Sequence, residues 1–152
     1  EDDLIECINE YKSLGLKNIC LPFHNKFYKE YKFNPWAMRD FMNHYNIPNI
    51  ESLTDDMKYA IGRVSFIMKH WSLWDDFDYI HILGSHCPFE KRFYFRFNSM
   101  DTGYPVKLGY EGKLLGHEKE KPKTIIDDFF RSHLTQSQTK LIHENVKIFK
   151  QY

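Results

Sequence analysis

A chain of 152 residues is long enough to bury the core of one domain. Its 42% hydrophobic and 17% aromatic content excludes a disordered chain. The formal net charge of +0 gives no general attraction to polyanions, so a nucleic-acid contact has to come from a local basic patch. No apolar run reaches membrane-spanning length. No signal-peptide pattern follows Glu1, which stands where a complete chain has Met, as in a processed or partial piece. Cys7, Cys20 and Cys87 are far apart and odd in number. They read as reduced thiols of a cytoplasmic protein rather than a disulfide framework.

In chain order, Leu4, Ile5, Ile8, Tyr11 and Leu14 recur at helical spacing and predict a helix over Asp2 to Leu14. Asp2 and Asp3 favour its start, and Gly15 caps its end. Leu16 to Phe23 predicts a buried strand ended by Pro22, with His24 and Asn25 just beyond. Residues 24–35 read as an aromatic, basic loop, in which Lys26, Lys29 and Lys32 alternate with Phe27, Tyr28 and Tyr31 and pair stacking with phosphate contacts. Asn34 before Pro35 predicts an N-cap for a short helix, Trp36 to Tyr45. After a break at 46–49, Thr54-Asp55-Asp56 caps a helix reaching Trp71 or Leu73. Its buried stripe is Met57, Ile61, Val64, Ile67 and Met68. Beyond residue 115, Gly116 to Thr124 is a charged surface loop and Thr124 to Phe130 a short helix. Thr135 caps a last helix to Tyr152, with Leu141, Ile142, Val146, Ile148 and Phe149 apolar.

The stretch Asp78 to Leu115 organises the rest. Asp78 to Leu83 is a short β-rich run stopped by Gly84-Ser85. Pro88 opens a helical stretch, Phe89 to Phe95, and Phe97 to Met100 is a second run ending on Asp101. Two strands around a helix form a βαβ unit and imply a parallel sheet. Chemistry in such sheets collects at the carboxyl ends of the strands, where Gly84 and Asp101 both sit.

The order Tyr79-Ile-His-Ile-Leu-Gly84, Pro88-Phe-Glu90, Asn98-Ser-Met-Asp101, Pro105-Val-Lys107 and Glu111-Gly-Lys-Leu-Leu115 resembles the C-terminal part of the tRNA-guanine transglycosylase (queuine tRNA-ribosyltransferase) superfamily. The form LGSHCPFE…SMDTGYPV is closer to its phage-borne relatives. The resemblance implies an α/β fold: the C-terminal half of a (β/α)8 TIM barrel with a final helix, as one domain over 1–152. It also implies that the missing strands come from an N-terminal half or from a second copy in a homodimer. A smaller three-layer α/β domain is the alternative.

The resemblance makes Asp101 the nucleophile. Base exchange at a nucleoside needs a group to hold C1′ once the base departs, and a carboxylate does so in retaining glycosidases. Opening the Asp-Thr-Gly turn as a side-chain cap is the plainer role for the same residue. By the same resemblance Gly84 and Ser85 lie against a flat base, Phe23, His24 and Met100 line its pocket, and Lys107 contacts phosphate. The sequence departs from the family at Pro22-Phe23, where a Gly-Gly pair meets the base. It departs again after Cys87, where no cysteine remains for the family's zinc site. His86 with Cys87 is one histidine and one cysteine, too few for a metal site, and His81 reads as a half-buried structural histidine. The expected function is a base-exchange transglycosylase acting on tRNA or DNA, with no cofactor, no metal and no membrane. Its rivals are a non-catalytic phage barrel protein that binds a host or phage protein, and a nucleoside-processing enzyme using the same aspartate.

Overall fold

The computed structural model describes residues 2–22, 32–85, 87–116 and 133–152. Phe23, His24, His86, most of the basic aromatic loop and the helix expected over 124–130 lie outside them. The chain divides into two compact units, Glu1–Asp101 and Thr102–Tyr152.

The first unit runs α1 (Asp2–Ser13), β1 (Asn18–Pro22), α2 (Pro35–His44), α3 (Asp55–Lys69), β2 (Tyr79–Leu83) and β3 (Ser99–Met100). Local capping chemistry sets the helix starts. The Asn34 side chain accepts from the amides of Trp36 and Ala37, and the Thr54 hydroxyl accepts from Met57. Gly15, at φ 72°, ends α1 in the left-handed conformation that glycine tolerates. α3 stops at Lys69, earlier than expected, and the chain tightens into a 3-10 turn over Trp71–Trp74. Its buried residues run without interruption from Ala60 to Ile67, a band wider than a stripe, with Met57 and Met68 only half-buried.

The three strands form one parallel sheet in the order β1-β2-β3. The strand expected over 16–23 is shorter and buried on one face only. Ile19, Leu21, Ile80 and Ile82 are buried, whereas Asn18, Cys20, Pro22, Tyr79 and Leu83 are exposed. Strands of parallel sheets are commonly buried on both faces and read as continuous apolar runs; this one alternates. β3 is only two residues long; just before it the Asn98 side-chain oxygen accepts from the Ile80 amide at 2.7 Å while the Asn98 amide donates to the Ile80 carbonyl at 3.0 Å.

The stretch between β2 and β3 is a 3-10 turn, Pro88–Phe93, rather than an α-helix. Its tighter winding places Glu90 and Phe93, three residues apart, on one side, and both are buried. Phe41, Phe89 and Phe93 pack there, Phe41 stacking on Phe93 at 5.6 Å and meeting Phe89 edge-on at 5.2 Å. Each fully buried aromatic contributes about 1.5–3 kcal/mol through the apolar surface it removes from water.

The second unit pairs α4 (Tyr104–Tyr110) with α5 (Gln136–Gln151). Pro105 and Lys107 lie in α4, where Pro105 fits a first helical turn. The Glu111–Leu115 motif, a hairpin by the resemblance, is instead a helix end. Gly112 takes φ 73°, its amide bonds to Gly109 at 3.2 Å, and Lys113 bonds back to Leu108 at 2.8 Å. Thr135 caps α5 reciprocally with Gln138.

Candidate active site

β2 and β3 end side by side, and their outward residues share the exposed face of the sheet. The register pairs His81 with Ser99 on β3 and with Cys20 on β1. Strand alternation puts Tyr79, His81, Ser99 and Asp101 on this face and Met100, in register with Ile82, on the other.

Asp101 does not cap its own turn. That task falls to Thr102, whose hydroxyl accepts from the Tyr104 amide at 3.1 Å. The Asp101 carboxylate reaches across to β2, where Oδ1 accepts from the Gly84 amide at 2.6 Å. His81 Nε2 lies 3.4 Å from the same oxygen. The Asp101 side chain is 58% exposed, and among the described residues no hydrogen bond engages Oδ2. Behind the imidazole, Nδ1 is 2.6 Å from Ser99 Oγ, which is 2.7 Å from the Tyr79 hydroxyl.

The turn that supplies the Gly84 amide is held from inside. Gly84 has φ 63°, a conformation glycine adopts without strain. Arg63 donates to the Leu83 carbonyl at 3.2 Å and to the Gly84 carbonyl at 2.9 Å. Its other contacts go to Glu90, Nε to Oε2 at 3.2 Å and an Nη2 contact to Oε1 at 2.5 Å. Both side chains are fully buried. Tyr94 completes the set by donating to Glu90 Oε2 at 2.7 Å. Burial first, and then the Glu90 charge, hold the Tyr94 hydroxyl well above its ordinary range, so it stays a donor.

Of the residues singled out in the sequence, Gly84 and Asp101 come together through a direct bond, which leaves the Gly84 amide engaged by the carboxylate. Ser85 is buried, its hydroxyl accepting from the Cys87 amide at 3.1 Å. Met100 lies on the opposite face, and Lys107 is half-buried in α4 of the second unit. Pro22 ends β1 exposed. Among the described residues no three His, Cys, Asp or Glu side chains gather as metal ligands, and no helix is long and apolar enough to cross a membrane.

Sequence reasoning missed the roles of His81, Ser99 and Tyr79, and the Arg63–Glu90–Tyr94 set. Period-two alternation from Tyr79 to Leu83 signals which residues share a face, but the β3 register is a long-range fact. Nothing in the sequence singled out Arg63. Glu90 was visible in the Pro-Phe-Glu motif without a role. Comparison of the chain with family models, with curated proteins and with solved structures finds no match.

Proposed function

We propose that the chain is a base-exchange transglycosylase acting on a guanine-type base in tRNA or DNA, in the cytoplasm of the cell that contains it. The observation that supports this is the state of Asp101. It is an exposed carboxylate at the carboxyl end of a parallel strand, with one oxygen pinned by the Gly84 amide and the other without a partner among the described residues. The ordered motifs around it resemble those of the transglycosylase superfamily.

In the proposed reaction Oδ2 of Asp101 attacks C1′ of a nucleotide turned out of its stack, and the C1′–N bond breaks as the base leaves with its electron pair. The base takes up a proton, and the sugar stays bound to Asp101 as a ribosyl ester. An incoming base then attacks C1′, loses a proton and releases the carboxylate, so the sugar is retained in configuration. By the resemblance, Phe23 and His24, which follow β1 in sequence, are the residues assigned to the base.

A second reading is a non-catalytic protein that binds a host or phage protein. Pro22 favours it, because proline has no amide to offer a base at the end of β1, and so do Tyr79 and Leu83, exposed at 45% and 46% on the same sheet face.

Covalent trapping separates the two. The protein is incubated with tRNA, and separately with single- and double-stranded DNA. A competing deazaguanine-type base is added, and the products run on a denaturing gel beside Asp101→Ala and Asp101→Asn. The expected result is a shifted protein–nucleic-acid band lost in both variants. No band, with nucleic acid unchanged by mass spectrometry, would favour the binding protein.

A further inference from the structure

We infer that His81, held by Ser99, is a positioning residue that fixes the Asp101 carboxylate for attack; the inference rests on Asp101 being the nucleophile. The protons along the chain Tyr79–Ser99–His81–Asp101 can be assigned from chemistry. A phenol is the better acid, so Tyr79 donates to Ser99 Oγ across 2.7 Å. The one hydrogen on Ser99 then donates to His81 Nδ1 across 2.6 Å. An imidazole that accepts at Nδ1 carries its hydrogen on Nε2, and Nε2 faces Asp101 Oδ1 at 3.4 Å. The opposite tautomer sets a nitrogen lone pair against a carboxylate oxygen, which is repulsive.

Oδ1 is therefore held by one hydrogen bond, from the Gly84 amide at 2.6 Å, and drawn by the His81 Nε2–H, which lies 3.4 Å away and outside hydrogen-bond geometry. An exposed carboxylate otherwise turns freely about its last torsion. The hydrogen bond from Gly84 and the electrostatic pull of His81 together keep Oδ1 turned toward β2 and leave Oδ2 directed outward. The site of His81 excludes it as the acid that protonates the departing base, because the base leaves from the face of C1′ opposite to the attacking carboxylate. His81 acts through Asp101. The titratable groups sharing its face of the sheet among the described residues are Tyr79 and Asp101, with Cys20 in register on β1; Ser99, Leu83, Asn18 and Pro22 share it as well.

The test joins a spectroscopic readout to a kinetic one, on the full chain. Ring nitrogen NMR of His81 is expected to show the Nε2–H tautomer, shifting toward the free-imidazole mixture in Ser99→Ala. In trapping experiments His81→Ala is expected to slow ester formation by about ten- to a hundredfold, the cost of a misplaced reactive group. His81→Gln, which returns an N–H near the Nε2 position, is expected to recover part of the rate. An Nδ1–H tautomer, or a ring unchanged by Ser99→Ala, overturns the inference. So does trapping at the wild-type rate in His81→Ala when Asp101→Ala is dead. If Asp101→Ala still traps, or the wild type traps nothing, the proposed reaction fails, and with it the positioning role.

Discussion

Burying an arginine costs several kcal/mol unless its donors are met, and Arg63 spends them on a carboxylate and on two consecutive carbonyls. The pair thus links the interior to the turn whose amide holds Asp101. Removing one partner and removing both have opposite consequences. Glu90→Gln leaves the buried Arg63 charge with a neutral partner and turns one of the two acceptor oxygens that Arg63 and Tyr94 share into an amide donor, so unfolding free energy should fall by about 3–5 kcal/mol. That is a large share of the roughly 5–15 kcal/mol of an ordinary domain. Arg63→Met with Glu90→Leu removes both charges and should restore part of that stability, while the Leu83 and Gly84 carbonyls lose their donor and the Tyr94 hydroxyl loses its acceptor. Urea titration should therefore rank the double variant above Glu90→Gln, and trapping by the double variant should stay below wild type. A double variant that is both stable and fully active would show that the Arg63 contacts do not serve the site.

The α4–α5 pair shows how closely two short elements can be specified. Asn145 is fully buried, yet its oxygen accepts from the Leu115 amide at 2.8 Å and its nitrogen donates to the carbonyls of Pro105 and Lys113 at 3.1 and 2.9 Å. Gly109 faces Ile142 so closely that an added Cβ would stand 2.6 Å from the Ile142 nitrogen and 2.7 Å from its Cα. Glycine inside a helix costs about 0.5–1 kcal/mol relative to alanine, so propensity alone favours Gly109→Ala. The contact opposes it, because backbone cannot swing aside as a flexible side chain does. Overpacking of this kind costs about 1–3 kcal/mol, and the contact should win. Gly109→Ala should lower stability and raise amide hydrogen exchange over 104–116 and 136–151. Gly103→Ala is the control, since its Cβ meets only Lys107 Cε at 4.0 Å and exchange should be unchanged. Equal exchange in both variants would mean the two helices separate readily.

Across the whole molecule, legibility followed range. Asn34, Thr54 and Thr135 marked helix starts because a cap is decided within four residues. The strands were found in place, and the parallel pairing followed from the intervening chain. What stayed hidden joined distant residues: the row Cys20–His81–Ser99 needs the register of three strands, and Arg63 meets a partner 27 positions away. The resemblance singled out Asp101, but its bond to Gly84 was not legible in the sequence. Charge belongs to the same scale. With a formal net charge of +0, the chain as a whole does not draw a polyanion toward it, so the proposed polymer must be held by a local patch. Lys26, Lys29 and Lys32, interleaved with Phe27, Tyr28 and Tyr31, form the basic aromatic stretch of the sequence. Each phosphate contact adds about 0.7–0.9 to the slope of log affinity against log salt. Replacing the three lysines with alanine should therefore flatten that slope by roughly 2–3 for tRNA or DNA and weaken binding to all sequences alike. Fluorescence anisotropy over a salt series measures both. An unchanged slope would place the phosphate contacts elsewhere, and Lys107→Ala would be the next variant to titrate. A protein with no measurable nucleic-acid affinity at low salt, where such contacts are strongest, would instead count against a polymer substrate altogether.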